Sequence, residues 1–150
     1  MFDIDKVDRN IEMFIFDIYI AILKIKKIAS EFNNPQDLQY GFIKWDSIIR
    51  EFEIIGEASK YLLRDELLQK KYRKIVSFRN QITHEYFGID PEIVWKIIHT
   101  KLDEIEDVII NLISDIKQPL KNELIYAFIE DNNYLEFIVE KLNQLKEKCD

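Results

Sequence analysis

The strongest constraint on the fold is an apolar pattern near the N-terminus that repeats with the period of an α-helix. Across four heptads, steps of three and four residues alternate between Ile4, Val7, Ile11, Phe14, Ile18, Ala21, Ile25, Ile28 and Phe32. This spacing places the side chains on one face of a long helix. Further apolar residues at Ile15, Tyr19 and Ile22 widen that face, so we expect a bundle core rather than a two-stranded coiled coil.

Few residues in the chain favour tight turns. Only three glycines and three prolines occur among 150 residues, which disfavours sheets joined by many turns. The hydrophobic content of 47% is enough for one core, and the length is short for two domains. We therefore predict an all-α, up-and-down bundle of four main helices over residues 1–118. Residues 119–150 are predicted to form a helical C-terminal extension of the same domain.

Residues that begin or end helices separate these elements. The first helix is predicted to end before "NNPQD", the second to cover about residues 38–63, and the third residues 71–87. Gly88 suits the left-handed backbone position that closes a helix. Asp90 suits the N-cap of the fourth helix and Pro91 its first turn, and this helix is expected to end before Pro119.

Two features of the sequence bear on how the predicted helices pack together. Gly56 lies inside the second helix, where glycine costs about 1 kcal/mol relative to alanine, and we interpret it as a place where a neighbouring helix packs closely. The extension has apolar residues for one or two helices, with a break at residues 131–133. It could cover the bundle, extend a dimer or bind a partner protein.

Charge and cysteine content narrow the class of protein. A formal charge of −7 argues against broad nucleic-acid binding, because a negative surface repels phosphates. The single cysteine, Cys149, cannot form an internal disulfide, which fits a reducing cytoplasm. The charged N-terminus is unlike a signal peptide, and no apolar run approaches the roughly 20 residues of a membrane span. We expect a soluble, cytoplasmic protein that does not associate with membranes.

The residue patterns of several common catalytic sites do not occur. There is no glycine-rich phosphate loop, paired-cysteine zinc site, His-Glu-x-x-His helix or Gly-x-Ser-x-Gly turn. Glu51, Glu53 and Glu57 could meet in a dimetal bundle, but the Glu-x-x-His pairs of such sites are missing. We therefore expect no metal and no cofactor, and we assign most of these acids to a solvated face.

Basic residues are concentrated in one short stretch. Residues 70–84 carry a charge of +5 with no Asp or Glu, and since the whole chain is −7, the remainder is −12. A polyanion would be attracted to this stretch, and the candidate residues that would bind it are Lys70, Lys71, Arg73 and Lys74. The alternative interpretation is an ordinary cluster of surface charges.

The same stretch begins the pattern Arg-x-x-x-x-His-x-Tyr, formed by Arg79, His84 and Tyr86. Histidine transfers protons near neutral pH, and arginine offers a forked cation that matches phosphate oxygens. Together they suit phosphodiester cleavage without a metal. On one helix Arg79 and His84 would lie about 140° apart, so a joint site needs the arginine to reach around or a second chain to complete it. The simpler alternative is a histidine that caps a helix end, with a tyrosine packed beside it.

The segment "FRNQITHEYFGIDPEIVWKII" resembles the signature of the HEPN superfamily, and specifically of its HepT-like toxin ribonucleases. Arg79, Asn80, His84 and Tyr86 match this signature position by position, and "IIGEASKYL" is similar to the family's Gly-Glu-Ala helix. The resemblance covers about residues 4–116. It implies a homodimeric helical bundle in which the motifs of two subunits face each other across a cleft and form a metal-independent endoribonuclease.

The resemblance also implies a role for each residue of the signature. His84 would be the general base or acid for attack of a ribose 2′-hydroxyl on the adjacent phosphate, which yields a cyclic phosphate. Arg79 would hold the phosphate and stabilise its developing charge, and Asn80 would orient the site. Tyr86 would receive AMP from a cognate MntA-like nucleotidyltransferase antitoxin, so that the protein is the toxin of a type VII-like toxin-antitoxin pair.

Two other functions stay open on the sequence alone. The first is a non-catalytic dimer that uses the same cleft to bind a nucleotide or the partner transferase. The second is a structural helical adaptor, which would need neither Arg79 nor His84. The ribonuclease hypothesis differs from both because it predicts that His84→Ala abolishes RNA cleavage.

Overall fold

The computed structural model describes residues 9–84 and 88–148, and these residues fold as helices and the loops that join them. Within them there is no β-strand, and the predicted all-α class is confirmed. The helices are α1 (Ile11–Ala29), α2 (Pro35–Tyr40), α3 (Phe42–Arg64), α4 (Arg73–His84), α5 (Pro91–Ser114), α6 (Leu120–Asp131) and α7 (Glu136–Lys148), with a 3₁₀ turn at Lys70–Tyr72 before α4.

Helix α1 lies at the centre of the bundle, where it packs against α3 and α5. Residues 18–23 are apolar without interruption and all are buried, as expected for a helix surrounded by other helices. Asn10 begins the helix because its side chain accepts a hydrogen bond from the backbone N–H of Met13. Helices α3 and α5 therefore pack around the apolar segment of residues 18–23.

Two details of the predicted helices are wrong. The predicted second helix is split at Gly41, whose φ of −78° and ψ of 69° lie outside the helical region. The split arises because Asn34 caps a separate short helix by accepting a hydrogen bond from the Asp37 N–H, with Pro35 in its first turn. Gly88 does not take a left-handed conformation, since it lies in a 3₁₀ geometry and no described glycine has a positive φ.

Helix α5 begins as the sequence predicts. The Asp90 side chain accepts a hydrogen bond from the Glu92 N–H at 2.9 Å, and Pro91 occupies the first turn. The buried face of α5 packs against α1 and α2, and it consists of Val94, Ile98, Leu102, Ile105, Ile109 and Ile113. None of the helices in the described residues combines the length and the apolar character required to cross a membrane.

The C-terminal extension forms two helices with a break between Asp131 and Glu136, which is one of the two possibilities left open by the sequence. Phe128 of α6 stacks on Phe16 of α1, with 5.0 Å between the ring centroids. Lys27 of α1 places its Nζ 5.5 Å from the ring centroid of Phe137 on α7. The extension therefore covers part of α1, which is the first of the three roles considered from the sequence.

Candidate active site

Helix α4 carries most of the basic stretch and three of the four signature residues, namely Arg79, Asn80 and His84, and it packs mainly on α3. Ile82 is its only buried residue. Phe78 is partly buried and meets Phe52 of α3 edge to face, with 5.3 Å between the ring centroids. Because so little of α4 is covered, it lies on the outside of the bundle with a wide polar face in solvent.

The stem of Arg79 lies directly against the backbone of α3 at Gly56. A Cβ atom added to Gly56 would stand 2.2 Å from the Arg79 Cβ and 2.7 Å from its Cγ, which is closer than real side chains approach. Only glycine permits this contact, because it has no side chain. The predicted close packing at Gly56 is confirmed, and the group packed there is the arginine of the signature.

The guanidinium of Arg79 lies between two polar side chains. Its Nη2 is 3.3 Å from Oε2 of Glu57 on α3, and its Nη1 donates a hydrogen bond of 3.1 Å to Oδ1 of Asn80. Glu57 Oε2 and Arg79 Nε are both buried and make no hydrogen bond within the described part of the chain. The Arg79 side chain is still 29% exposed, so its head group reaches solvent while its attachment is shielded.

His84 is the last residue of α4, where its side chain is exposed. It follows Arg79 by five positions on one helix, which separates the two by about 140° around the axis and about 7.5 Å along it. The structure thus places the two residues on different sides of α4. Tyr86 lies outside the described residues. The catalytic and modification roles of this set stay predictions.

The candidate RNA-binding residues are all exposed near the start of α4. Lys70 and Lys71 belong to the 3₁₀ turn, and Arg73 and Lys74 form the first turn of α4. Lys71 Nζ donates a hydrogen bond of 3.1 Å to Glu104 Oε1 on α5. This bond raises the pKa of Lys71 and lowers the pKa of Glu104. One of the four cations is therefore partly neutralised in the folded protein.

A groove beside these lysines has an apolar floor. Its volume is about 360 Å³, and it lies between α3, α4 and α5. Phe52 and Phe78 contribute to the floor, while Lys71, Lys74 and Lys101 line the same groove. The aromatic floor could contact a planar aromatic group of a ligand, and the lysines could contact its phosphate.

A second cavity, of about 300 Å³, lies beside Arg79 between α1 and α3. Three arginines and three carboxylates line it, and each arginine is paired: Arg9 with Asp17 at 2.6 Å, Arg50 with Glu53 at 3.6 Å, and Arg79 with Glu57 at 3.3 Å. The formal charges cancel, so the cavity as a whole does not select anions. We name it the arginine cavity.

The side chains of Glu51, Glu53 and Glu57 lie between solvent and the bundle, and those of Glu53 and Glu57 are 33% and 43% exposed. All three are partly buried, and burial raises the pKa of Glu51 despite the nearby cations Lys24 and Arg50. Glu53 and Glu57 instead pair with arginines in the arginine cavity. Composition could not reveal this, although the position of Glu57 directly after Gly56 was a usable signal. Within residues 9–84 and 88–148, no three His, Cys, Asp or Glu side chains are grouped to hold a metal ion.

Comparison with known proteins identifies the family of the chain. A family model described as Ribonuclease HepT-like matches residues 18–112, which run from α1 to α5 and include Gly56, Arg79 and His84. The chain belongs to the HepT-like ribonuclease family. The resemblance stated from the signature is thereby confirmed, and the matched region ends before α6.

Individual relatives of the HepT-like chain carry ribonuclease names. "Putative RNase MJ1380" of Methanocaldococcus jannaschii is 29% identical over 101 residues, which cover 65% of this chain and 92% of the relative. "Putative RNase MJ0127" of the same organism is 31% identical over 112 residues, covering 67% and 88%. "Probable ribonuclease HepT" of Thermococcus cleftensis is 38% identical over 55 residues, covering 35% and 50%. No solved structure matches the chain.

Proposed function

We propose that the protein is a toxin ribonuclease of a type VII-like toxin-antitoxin pair and that it cleaves RNA without a metal ion. The observation that carries the proposal is the setting of Arg79, a partly exposed guanidinium anchored on α3 in a chain of the HepT-like ribonuclease family. An arginine held in place before substrate binds can stabilise charge as it develops on a phosphate.

In the proposed reaction, the ribose 2′-oxygen loses its proton to His84 and attacks the adjacent phosphorus. The bond from phosphorus to the 5′-oxygen breaks, and that oxygen takes a proton from solvent, while His84 afterwards releases to solvent the proton that it accepted. The products are a 2′,3′-cyclic phosphate and a 5′-hydroxyl end. Arg79 stabilises the additional negative charge on the phosphoryl oxygens, and Asn80 orients the guanidinium through its hydrogen bond to Nη1.

A homodimer is part of the proposal because one α4 helix separates the two catalytic side chains. Arg79 and His84 lie on different sides of the helix, about 140° apart. Two α4 helices that face each other would bring an arginine from one copy to a histidine from the other. The wide uncovered face of α4 supports such an arrangement.

Control by a cognate MntA-like nucleotidyltransferase antitoxin also belongs to the proposal. Its support is the sequence position of Tyr86, two residues from His84 in the signature. An AMP group attached there would add negative charge and bulk beside the histidine and would offset the basic stretch. A cytoplasmic location is proposed with it, since the lone cysteine suits a reducing compartment.

The test is RNA cleavage by the purified protein in excess EDTA, after intact mass has shown that Tyr86 carries no adduct. His84→Ala is compared with His99→Ala, which removes the other histidine, an exposed side chain on α5. We expect cyclic phosphate ends from the wild type and from His99→Ala, and no cleavage by His84→Ala. Equal cleavage by all three proteins would refute the assignment of His84.

The alternative is a non-catalytic dimer that binds a nucleotide or a partner protein. The groove between α3, α4 and α5 favours it, because about 360 Å³ with an aromatic floor and lysines could hold a nucleotide. Calorimetric titration with AMP distinguishes the two functions. Saturable binding by a protein that never cleaves RNA would favour the alternative.

A further inference from the structure

We infer that Glu57 is a positioning residue that fixes the guanidinium of Arg79 for phosphate contact. The inference rests on the proposed ribonuclease function and adds a residue that lies outside the Arg-x-x-x-x-His-x-Tyr signature. Glu57 belongs to α3, and it follows directly after the glycine against which the Arg79 stem is packed.

The stem of the Arg79 side chain is fixed by its packing against α3. The α3 backbone at Gly56 stands so close to the Arg79 Cβ and Cγ that the start of the side chain has almost no room to move. The outer bonds of an arginine remain free to rotate, and fixing a side chain of this length costs up to about 2 kcal/mol of conformational entropy. A second contact at the far end is therefore needed to define where the guanidinium lies.

Glu57 supplies this contact. Its Oε2 is buried, makes no hydrogen bond in the described residues, and lies 3.3 Å from Arg79 Nη2. A buried carboxylate oxygen without a cation would be unfavourable, so the pair holds both side chains in place. Asn80 engages Nη1 from the other side at 3.1 Å. The planar guanidinium is then oriented by two acceptors, Glu57 on α3 and Asn80 on α4.

The guanidinium of Arg79 retains N–H donors for a substrate phosphate. The guanidinium has five N–H groups, and one acceptor engages each of Nη1 and Nη2. The partial exposure of Arg79 leaves its head group accessible to a phosphate. Because Glu57 is itself negative, it does not attract RNA. Its contribution is expected in the chemical step, where orientation matters, and not in substrate binding.

The carboxylate of Glu53 provides a matched control. It lies one turn earlier on α3, lines the same arginine cavity and pairs with Arg50 at 3.6 Å rather than with Arg79. Glu53→Gln removes the same charge from the same cavity as Glu57→Gln. Glu57 Oε1 also lies 3.6 Å from Lys60 Nζ, so Lys60→Gln is measured beside the two carboxylate variants. If Lys60→Gln matches the wild type, a difference between Glu57→Gln and Glu53→Gln reports on Arg79 and not on overall charge.

The experiment measures kcat and KM for RNA cleavage by the full-length wild type, Glu57→Gln and Glu53→Gln. It also measures the single-turnover rate of Arg79→Ala with and without Glu57→Gln. We expect Glu57→Gln to lower kcat about tenfold with KM changed less than about threefold, since misplacing a catalytic group by 1 Å can cost about 100-fold. Glu53→Gln should match the wild type, and Glu57→Gln should not slow Arg79→Ala further.

Each other outcome overturns the inference. If Glu57→Gln retains the wild-type kcat, the inference about Glu57 fails while the proposed function stands. The same holds if Glu53→Gln loses as much kcat as Glu57→Gln, or if Glu57→Gln slows Arg79→Ala further. A wild type that does not cleave RNA overturns the proposed function as well. Circular dichroism melting checks folding. If Glu57→Gln is unfolded at the assay temperature, Glu57→Asp replaces it. This variant should also lower kcat, because the aspartate side chain is one methylene group shorter than that of glutamate.

Discussion

Replacing Gly56 by alanine tests the contact between α3 and α4 most directly. The new methyl would begin 2.2 Å from the Arg79 Cβ and 2.7 Å from its Cγ, and ordinary contacts start at 3.4 Å. The helices must therefore separate by about 1.2 Å at this point. A flexible side-chain end cannot absorb the shift, because Cβ and Cγ move only with the α4 backbone.

The expected effect on stability is small and the effect on activity is large. Overpacking costs about 1–3 kcal/mol, and alanine recovers about 1 kcal/mol of helix propensity. The unfolding free energy should fall by about 0–2 kcal/mol, and Tm by about 2–4 °C for each kcal/mol. A displacement of Arg79 by about 1 Å should lower kcat about 100-fold.

Urea denaturation and RNA cleavage measured on the same preparation separate the two effects. Gly88→Ala is the stability control, since a Cβ there meets nothing within 4 Å and the backbone is not left-handed. A Gly56→Ala protein that is more stable than the wild type and retains its kcat would refute the reasoning. Such a result would mean that α4 does not pack on the α3 backbone as described.

Three further predictions concern the extension, the pH response and RNA binding. Phe128→Ala removes the stacking on Phe16 and should cost about 1–3 kcal/mol in a single urea transition, because Phe128 is partly buried and packs against the core. The hydrogen bond from Lys26 lowers the pKa of Asp103, so the stability it contributes is present above pH 3.8 and is lost as pH falls through the lowered pKa. Asp103→Asn should remove that part of the acid response in pH-dependent melting. Lys74→Gln should weaken RNA binding and reduce the slope of log K against log salt by about 0.7.

Controls for these predictions come from exposed residues of the same kind. Tyr134→Ala removes an aromatic ring that is 72% exposed and should leave the unfolding free energy nearly unchanged. Lys141→Gln removes a surface lysine on α7 and should not change the salt slope. Two separate urea transitions, an Asp103→Asn protein with the wild-type acid response, or an unchanged slope in Lys74→Gln would each contradict the corresponding prediction.

Part of the fold could be predicted because helical periodicity is a local property of the chain. The apolar spacing through α1 and α5, and the cap at Asp90, depend on residues within a few positions of each other. The break at Gly41 was missed for a related reason. The apolar pattern continues through it, and the competing cap at Asn34 lies several residues away.

For the candidate site, the sequence predicted which residues take part, but not which residues on another helix contact them. Arg79, Asn80 and His84 share one short helix, so their spacing was visible in the sequence. The contacts of Arg79 with Gly56 and Glu57 join residues more than 20 positions apart. No local pattern distinguishes a carboxylate that faces only solvent from one that also pairs with an arginine on another helix, so the sequence did not reveal the pairing of Glu57 with Arg79.

The sequence by itself determined the all-α class, the position of the signature and the concentration of positive charge before it, since each is encoded in neighbouring residues. Only the tertiary structure decided that α4 lies on the outside of the bundle against α3, that Gly56 receives the Arg79 stem, and that Glu57 holds its head group. Those features depend on how distant helices pack, and packing is settled by the burial of the whole core rather than by any single segment.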